Sequence, residues 1–119
     1  MRSDPGPYRG DLYWVDADTP GGVPHPHLVV QDDLFNRSRI DTVIVCALTT
    51  RLAKAHEPGN VLLSPGEGDL PRQSVVVVSQ IASIPRSRLG ERIGALSAER
   101  VDQVLAGLRF QQTAFLRGR

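Results

Sequence analysis

Short apolar runs, separated by turn-forming residues, occupy much of the chain before residue 85 and predict β-strands. Each run is rich in β-branched, aromatic or other apolar residues, and the run at 27–31 is too short for a helix. The predicted strands cover residues 11–15, 27–31, 42–49, 61–63 and 74–84, with a turn-rich loop at 16–26. The run at 42–49 is apolar on both faces, which predicts a central position in the sheet.

Helical signals occur in two places. An Asp at the start of residues 32–41 can cap a single helical turn. Ser97 precedes a stretch whose apolar residues recur at helical spacing, and residues 111–119 either extend this helix or fray from it. The apolar positions are Val101, Val104, Leu105 and Leu108. Five short strands followed by one amphipathic helix predict a small barrel with the helix packed against it.

The length of 119 residues corresponds to one domain. Residues 1–8 contain two Pro and one Gly and predict a flexible lead-in, so the single domain is expected to cover residues 9–119. No apolar stretch approaches the ~20 residues of a membrane span, and no signal-peptide pattern is present. We therefore expect a cytoplasmic protein. A homodimer would add stability, since a domain this small buries only about two thirds of its unfolded surface.

Charge is unevenly distributed along the chain. The formal net charge is +1, but residues 1–36 carry a net charge of −4 and the rest a net charge of +5. Thirteen of the fourteen basic residues are Arg, whose planar guanidinium suits phosphate, although a GC-rich genome would give the same count. The near balance of basic and acidic residues excludes a histone-like arm or a polybasic membrane anchor. The absence of a glycine-rich phosphate loop, a GxSxG elbow and HExxH disfavours an NTPase, an α/β-hydrolase and a zincin.

The histidines at positions 25 and 27 flank a proline, which favours extended backbone. Residues i and i+2 of an extended chain face the same way, so His25 and His27 could form an acid–base pair or ligate a metal. Alternatively, they are loop histidines that hydrogen-bond backbone carbonyls. The single cysteine, Cys46, lies in an apolar run where an inert buried thiol is expected and a nucleophile is the alternative. No third ligand has suitable spacing, so no metal site is predicted.

Other polar residues allow two interpretations each. Thr49 and Thr50 end the central strand. Their hydroxyls could donate to a phosphate oxygen, or threonine could occur there only because of its high β-propensity. Arg86, Arg88 and Arg92 could form a solvated face or guide a nucleic-acid backbone.

Five sequence blocks, in order, resemble the MazF/PemK toxin family. They are RGDLYWV at 9–15, PHLVVQDD at 26–33, TVIVCALT at 42–49, LPRQSV at 70–75 and VSQI at 78–81. Asn36 and the pair Arg88–Leu89 before the last helix continue the resemblance, which covers about residues 9–110 and so nearly the whole chain. Single blocks have little specificity, whereas their order is specific.

The resemblance implies a mainly β fold with a C-terminal helix, an SH3-like barrel of about five to seven strands. It also implies a homodimer and a cognate antitoxin. The implied activity is cleavage of single-stranded RNA, including mRNA, without metal or another cofactor. In this chemistry the ribose 2′-hydroxyl attacks the phosphate and leaves a 2′,3′-cyclic phosphate and a 5′-hydroxyl.

The resemblance also points to the site residues. Family members usually place an Arg before the Pro of the second strand and a Thr or Ser at the end of the central strand. Here Thr49 matches, while His25 occupies the place of the Arg, and these two are the candidate catalytic residues. Histidine can transfer a proton near neutral pH but lacks the permanent charge of Arg, part of which His27, Arg37 or Arg51 could supply. The candidate RNA-binding residues are His27, Asn36, Arg37, Thr50 and Gln80.

Two alternative functions remain open at this stage. The missing Arg is compatible with a catalytically weakened MazF-like binding module. The related CcdB family poisons gyrase on the same barrel, but residues 115–119 give no support for the specialised helix end that this requires. Cleavage of a long RNA without added metal separates the endoribonuclease from both alternatives.

Overall fold

The computed structural model describes residues 6–17 and 19–117, which form one antiparallel sheet and two helices. The spatial order of the strands is β4-β5-β3-β2-β1-β6. The strands are β1 (Asp11–Val15), β2 (His25–Val29), β3 (Thr42–Thr49), β4 (Val61–Leu62), β5 (Val75–Pro85) and β6 (Leu89–Ala95). The helices are α1 (Asp33–Asn36) and α2 (Ala98–Arg117), and short 3-10 turns lie at Leu52–His56, Glu67–Asp69 and Arg86–Arg88. The predicted mainly β, barrel-like fold is confirmed.

The central strand and the first helical turn match the sequence predictions. β3 has the predicted bounds and lies inside the sheet between β5 and β2. The side chain of Asp32 accepts a hydrogen bond from the backbone N–H of Leu34 and caps α1. Local apolar pattern and capping chemistry are therefore sufficient to locate both elements.

The second strand begins earlier than predicted. β2 runs from His25 to Val29, so the loop that precedes it ends before His25. The N–H groups of Val30 and Gln31 both donate to the carbonyl of Ile44, at 3.1 and 3.3 Å. Because two residues of one chain share a single acceptor, the regular ladder stops there.

The structure has a sixth strand, β6, that the apolar pattern of the sequence does not predict. Its sequence, LGERIGA, has two glycines and no sustained alternation. It pairs with β1 through a ladder with register shifts. A Cβ on Gly94 would lie 2.2 Å from the carbonyl oxygen of Gly68, so the glycine allows a close backbone approach that hydropathy does not reveal.

The two faces of the sheet carry separate apolar clusters. The larger cluster packs against α2 through side chains such as Val104. The smaller cluster, on the face without α2, consists of Tyr13, Val15, Val29, Val43, Val45 and Ile84. Because side chains alternate along a strand, the two histidines of β2 lie on the same face as the smaller cluster.

The C-terminal helix begins at a serine cap, as predicted. The carbonyl of Ser97 accepts a hydrogen bond from Val101 N–H, and its hydroxyl accepts one from Arg100 N–H at 3.2 Å. The guanidinium of Arg100 also donates two hydrogen bonds, of 2.8 and 3.2 Å, to the carboxylate of Glu67. Val104 and Leu108 are buried as predicted, and the helix extends to Arg117. Within the described part of the chain, no helix is long and apolar enough to span a membrane.

The predicted lead-in is only partly described. Residues 1–5 lie outside the described residues, but residues 6–8 contact the folded domain. Pro7 is buried and its carbonyl accepts a hydrogen bond from Arg37. The guanidinium of Arg37 also lies 4.3 Å from the centre of the Tyr8 ring, a cation–π geometry.

We expect Gly107→Ala to lower the free energy of unfolding by about 1–3 kcal/mol, the usual cost of overpacking. A Cβ at this position in α2 would lie 2.2 Å from the carbonyl oxygen of Gly59. This clash exceeds the gain in helix propensity, which is about 1 kcal/mol. Thermal unfolding measures the effect, and Ala106→Ser on the exposed side of α2 is the control. An unchanged or higher melting temperature for Gly107→Ala would show that α2 does not depend on this contact.

Candidate active site

A cavity of about 390 Å³ opens beside the C-terminal end of β3, and we call it the β2–β3 cavity. Its lining includes two imidazoles, one hydroxyl, one amide and two cationic side chains. The lining residues are His25, His27, Ala47, Leu48, Thr49, Arg51, Lys54, Val77 and Gln80. Four of the predicted site residues, His25, His27, Thr49 and Gln80, therefore lie at one cavity.

The cavity forms where the ladder between β3 and β5 is interrupted. Cys46 pairs with Ile81 and Leu48 pairs with Val76, so one residue of β3 opposes four residues of β5. The extra length of β5 bulges away from the ladder and leaves space above Ala47. Two hydrogen bonds stabilise the bulge: the Cys46 thiol donates to the Val77 carbonyl at 3.0 Å, and Val78 N–H donates to an Asn60 side chain at 3.0 Å.

Strand register aligns the two histidines with the end of the central strand. His27 pairs with Ala47 in the antiparallel ladder. Continuing that register by two residues brings His25 opposite Thr49. The structure thus places both imidazoles on one face, as the His-Pro-His pattern predicts, with His25 exposed and His27 half-buried.

The ring of His27 is oriented by a hydrogen bond within its own strand. Its Nδ1 lies 3.0 Å from the backbone oxygen of His25. A carbonyl oxygen only accepts, so Nδ1 carries the hydrogen and Nε2 is the acceptor of the neutral ring. His27 therefore bonds a backbone carbonyl, as the structural alternative expects, and still lines the cavity.

Burial lowers the pKa of His27 below its ordinary value. The hydrogen bond to the His25 carbonyl opposes this shift, whereas the positive charges of His25 and Arg88 add to it. The neutral imidazole is therefore favoured near neutral pH. An oriented, neutral imidazole can accept a proton at Nε2.

The hydroxyl of Thr49 is also oriented. Its oxygen accepts a hydrogen bond from the backbone N–H of Arg51 at 3.2 Å. The hydroxyl hydrogen therefore stays available for donation to a ligand. Thr50, its neighbour in sequence, is exposed and does not line the cavity.

The positive charge at the cavity comes from the 3-10 turn that follows β3. Arg51 precedes this turn and Lys54 lies within it. The Lys54 ammonium lies 2.8 Å from a carboxylate oxygen of Glu57, and this hydrogen bond is the main cause of the lowered pKa of Glu57. Asn60 donates to the Lys54 carbonyl at 2.9 Å and so ties the turn to the β5 bulge. Lys54, the only lysine in the chain, is not among the residues predicted from the sequence.

Two predicted RNA-binding residues, Asn36 and Arg37, lie elsewhere. Asn36 is buried, and its amide exchanges hydrogen bonds of 2.9 Å with Gln31 and donates one to Asp33. Its side chain is therefore not accessible to RNA, and its role is to close the turn around α1. Arg37 packs on Tyr8 and lies outside the β2–β3 cavity.

The arginines at 86, 88 and 92 each contact another part of the chain, although Arg92 stays exposed to solvent. Arg86 donates to the carbonyls of Phe35 and Asn36 at the end of α1. Arg88 donates to a backbone carbonyl next to β1, and Arg92 lies 3.3 Å from a buried aspartate oxygen. These arginines therefore have structural partners. Among the residues described, no group of three or more His, Cys, Asp and Glu side chains could hold a metal ion.

We expect the thiol of Cys46 to resist alkylation in the native protein. The side chain is fully buried and donates to the Val77 carbonyl, and burial raises its pKa to about 12. Thiols react as thiolates, so iodoacetamide near neutral pH should modify Cys46 only after unfolding, as mass spectrometry can measure. Rapid modification of the folded protein would contradict this and restore the nucleophile alternative.

Comparison with known proteins identifies relatives of this fold and sequence. The family described as PemK-like, MazF-like toxin of type II toxin–antitoxin system matches residues 8–111. Endoribonuclease MazF2 of Mycobacterium bovis is 39% identical over 105 residues, which are 85% of this chain and 92% of that protein. Endoribonuclease EndoA of Bacillus subtilis is 37% identical over 101 residues, which are 81% of this chain and 85% of that protein.

Solved structures show the same fold. A MazF structure from Deinococcus radiodurans aligns with a TM-score of 0.71 and 24% identity, over 92% of this chain and 99% of that one. A mycobacterial endoribonuclease in complex with its cognate antitoxin aligns with a TM-score of 0.71 and 24% identity, over 87% of this chain and 91% of that one. The match extends over nearly the full length in both sequence and structure. The chain belongs to the PemK-like, MazF-like toxin family of type II toxin–antitoxin systems.

Proposed function

We propose that this toxin is an endoribonuclease that cleaves single-stranded RNA, including mRNA, in the cytoplasm and without a metal ion. The observation that carries this proposal is the β2–β3 cavity, which combines two imidazoles, an oriented hydroxyl and two cations. Relatives that cover most of the chain are named endoribonucleases, which supports the same activity.

The proposed reaction is attack of the ribose 2′-hydroxyl on the adjacent phosphorus. It needs proton transfer at the attacking and leaving oxygens and stabilisation of the charged phosphorane. In our proposal His25 transfers a proton and the Thr49 hydroxyl donates a hydrogen bond to a phosphoryl oxygen. The products are a 2′,3′-cyclic phosphate and a 5′-hydroxyl.

The cations of the 3-10 turn offset the absence of an arginine at position 25. Histidine has neither the permanent charge nor the five donors of arginine. Arg51 and Lys54 line the same cavity and bring positive charge to the end of β3 that Thr49 occupies. Gln80 lines the cavity as well, and its amide can both donate to and accept from a base edge.

We further propose that a cognate antitoxin covers this cavity. Solved structures with the same fold include a mycobacterial endoribonuclease in complex with its cognate antitoxin and a MazE–MazF complex from Deinococcus radiodurans. An acidic, apolar tail that folds on binding would complement the cations of the cavity and exclude RNA. Binding of the antitoxin should therefore inhibit cleavage.

We also propose a homodimer whose interface is built on β3 and α2. An apolar groove of about 480 Å³ lies on the α2 side of the sheet. Exposed apolar side chains such as Phe35, Ile44 and Ile81 line it next to Leu105 of α2. A second copy that packs here would remove these side chains from water.

The expected result of sedimentation at micromolar concentration is a species of about twice 13.0 kDa. Ile44→Lys should shift it towards the monomer, because a charge would be buried at the interface. Leu62→Lys, at a somewhat more exposed apolar position on β4 outside the groove, is the matched control. A wild-type monomer well above micromolar concentration would contradict the prediction.

The decisive experiment incubates the purified protein with a long single-stranded RNA in the presence of EDTA. Sequencing of the 5′-hydroxyl ends then reports both activity and cleavage site. Cleavage by the wild type that is about 10²–10⁴-fold slower in the His25→Ala variant supports the proposal. No cleavage, with antitoxin binding retained, would instead favour the weakened binding module, and inhibition of gyrase supercoiling would favour the gyrase poison.

A further inference from the structure

We propose that the two histidines divide the proton transfers of the reaction, with Nε2 of His27 as the general base for the ribose 2′-hydroxyl and His25 as the general acid for the leaving 5′-oxygen. This inference rests on the proposed ribonuclease function and assigns a catalytic role to His27. It replaces the single proton-transfer group at position 25 by a pair.

The hydrogen bond of His27 supports its role as the base. Its Nδ1 donates to the carbonyl of His25, which fixes the tautomer and the plane of the ring. The ring lines the cavity beside Ala47, whose small side chain leaves room for a ligand next to it. The free Nε2 is the only acceptor of this neutral ring, so a 2′-hydroxyl bound in the cavity can donate to it.

The position of His25 supports the complementary role. It is the first residue of β2, is exposed to solvent, and lines the cavity opposite Thr49 in the extended register. An exposed imidazolium can donate its proton and regain one from water in each turnover. Two imidazoles two residues apart on one strand face can thus contact the attacking and leaving oxygens of the same phosphate.

Burial, and to a smaller extent the charges around His27, favour its neutral ring. Desolvation lowers the pKa of His27, and the positive charges of His25 and Arg88 lower it further. Arg88 reaches this side of the sheet from the turn that precedes β6, where it also bonds the Asp16 carbonyl. Arg51 and Lys54, from the turn after β3, add positive charge at the cavity. Tyr13, the partner of His27 on β1, is the titratable neighbour on the remaining side.

The step is balanced without any further reactant. Nε2 of His27 takes the 2′-hydroxyl proton while O2′ forms its bond to phosphorus. The bond from phosphorus to O5′ breaks, the electron pair goes to O5′, and His25 gives its proton to that oxygen. The products are the 2′,3′-cyclic phosphate and the 5′-hydroxyl, and solvent exchange returns His25 to the imidazolium and His27 to the imidazole.

The test uses a DNA strand with one ribonucleotide at the cleavage position mapped by the 5′-hydroxyl ends. One form carries oxygen at the 5′-bridging position and the other carries sulfur. A thiolate leaves without a proton, so only the oxygen substrate requires a general acid. Rates are measured for the wild type and for variants with His25→Ala, His27→Ala, His27→Gln or His56→Ala, with folding checked by thermal unfolding.

On the oxygen substrate, His25→Ala and His27→Ala should each lose about 10²–10⁴-fold in rate, the usual contribution of general acid–base catalysis. On the sulfur substrate, His25→Ala should approach the wild-type rate, whereas both His27 variants should remain slow. His56, an exposed histidine outside the cavity, serves as the matched control and should show no loss on either substrate. This contrast supports the division of roles.

The pH profile gives a second measurement that a merely structural role would not affect. Wild-type activity should rise with pH as His27 loses its proton. Because the pKa of His27 is lowered, this rise should occur at a lower pH than for an ordinary histidine. His27→Gln should lack this rise. A near wild-type rate for the His27 variants, or an equal loss for His25→Ala on both substrates, would overturn the inference and leave the nuclease function standing. Absence of wild-type cleavage of any RNA would overturn the proposed function and the inference together.

Discussion

Replacing His25 with alanine is expected to lower the rate of RNA cleavage by about 10²–10⁴-fold, because the reaction then lacks one of its proton-transfer groups. His25 is exposed at the start of β2 and carries no core packing, so the fold should be retained. Initial rates on a long RNA in EDTA, with sedimentation to verify the oligomeric state, measure the effect. The variant protein should then still bind RNA at the β2–β3 cavity but cleave it slowly.

The matched control for this change is His56→Ala. His56 is the last residue of the 3-10 turn after β3, and it is exposed and outside the cavity. It should retain the wild-type rate. Should His25→Ala cleave RNA as well as the wild type, the assignment of position 25 is wrong, and His27 is then the one histidine at the cavity left to transfer a proton.

Replacing His25 with arginine restores the residue that the family usually has at this position. His25→Arg supplies a permanent charge and a guanidinium fork but no group that titrates near neutral pH. It should retain part of the activity and lose the part of the pH dependence that comes from an imidazole at this position. An unchanged pH profile would show that position 25 does not transfer the proton.

The parts of the fold that could be predicted from sequence are those determined locally. β3 is an unbroken apolar run, and α2 combines a serine cap with apolar residues at helical spacing, so both were located correctly. β6 could not be predicted, because its residues are mostly polar or glycine and its place depends on pairing with β1. The start of β2 was missed for a similar reason, since a Pro at position 26 normally indicates a loop.

The site was predicted from two sources, local strand geometry and the family resemblance. Strand alternation groups His25 with His27, whereas Thr49 and Gln80 entered the prediction through the resemblance, and all four line the cavity. The contribution of Lys54 depends on the 3-10 turn that folds back over the cavity, and no local pattern marks it. Asn36 shows the opposite error, because a polar residue near a predicted turn can be buried when its amide completes the hydrogen bonds of that turn.

The structure changes the interpretation of the missing arginine. An Arg at position 25 would combine charge and donors in one side chain, whereas the proposed mechanism distributes these functions. In that proposal the imidazoles on β2 transfer the protons, and Arg51 and Lys54, which line the same cavity, supply charge from a different element. Loss of the usual residue is therefore compatible with activity, because the chemistry requires the groups at the phosphate and not one particular residue type.

Replacing Thr49 with valine is expected to lower the rate of cleavage by about 10²–10³-fold, the typical cost of removing one donor to a developing charge. Valine keeps the β-branched shape and removes only the hydroxyl, whose oxygen accepts from Arg51 N–H and whose hydrogen is available to a phosphoryl oxygen. Thr49→Ser, which retains the hydroxyl, should be much closer to the wild type. Because a hydroxyl of this kind does not titrate near neutral pH, Thr49→Val should reduce the rate at every pH without changing the shape of the profile, unlike changes at either histidine. If Thr49→Val and Thr49→Ser lose equal activity, the loss comes from packing at the end of β3, and the proposed hydrogen bond to the phosphate is excluded.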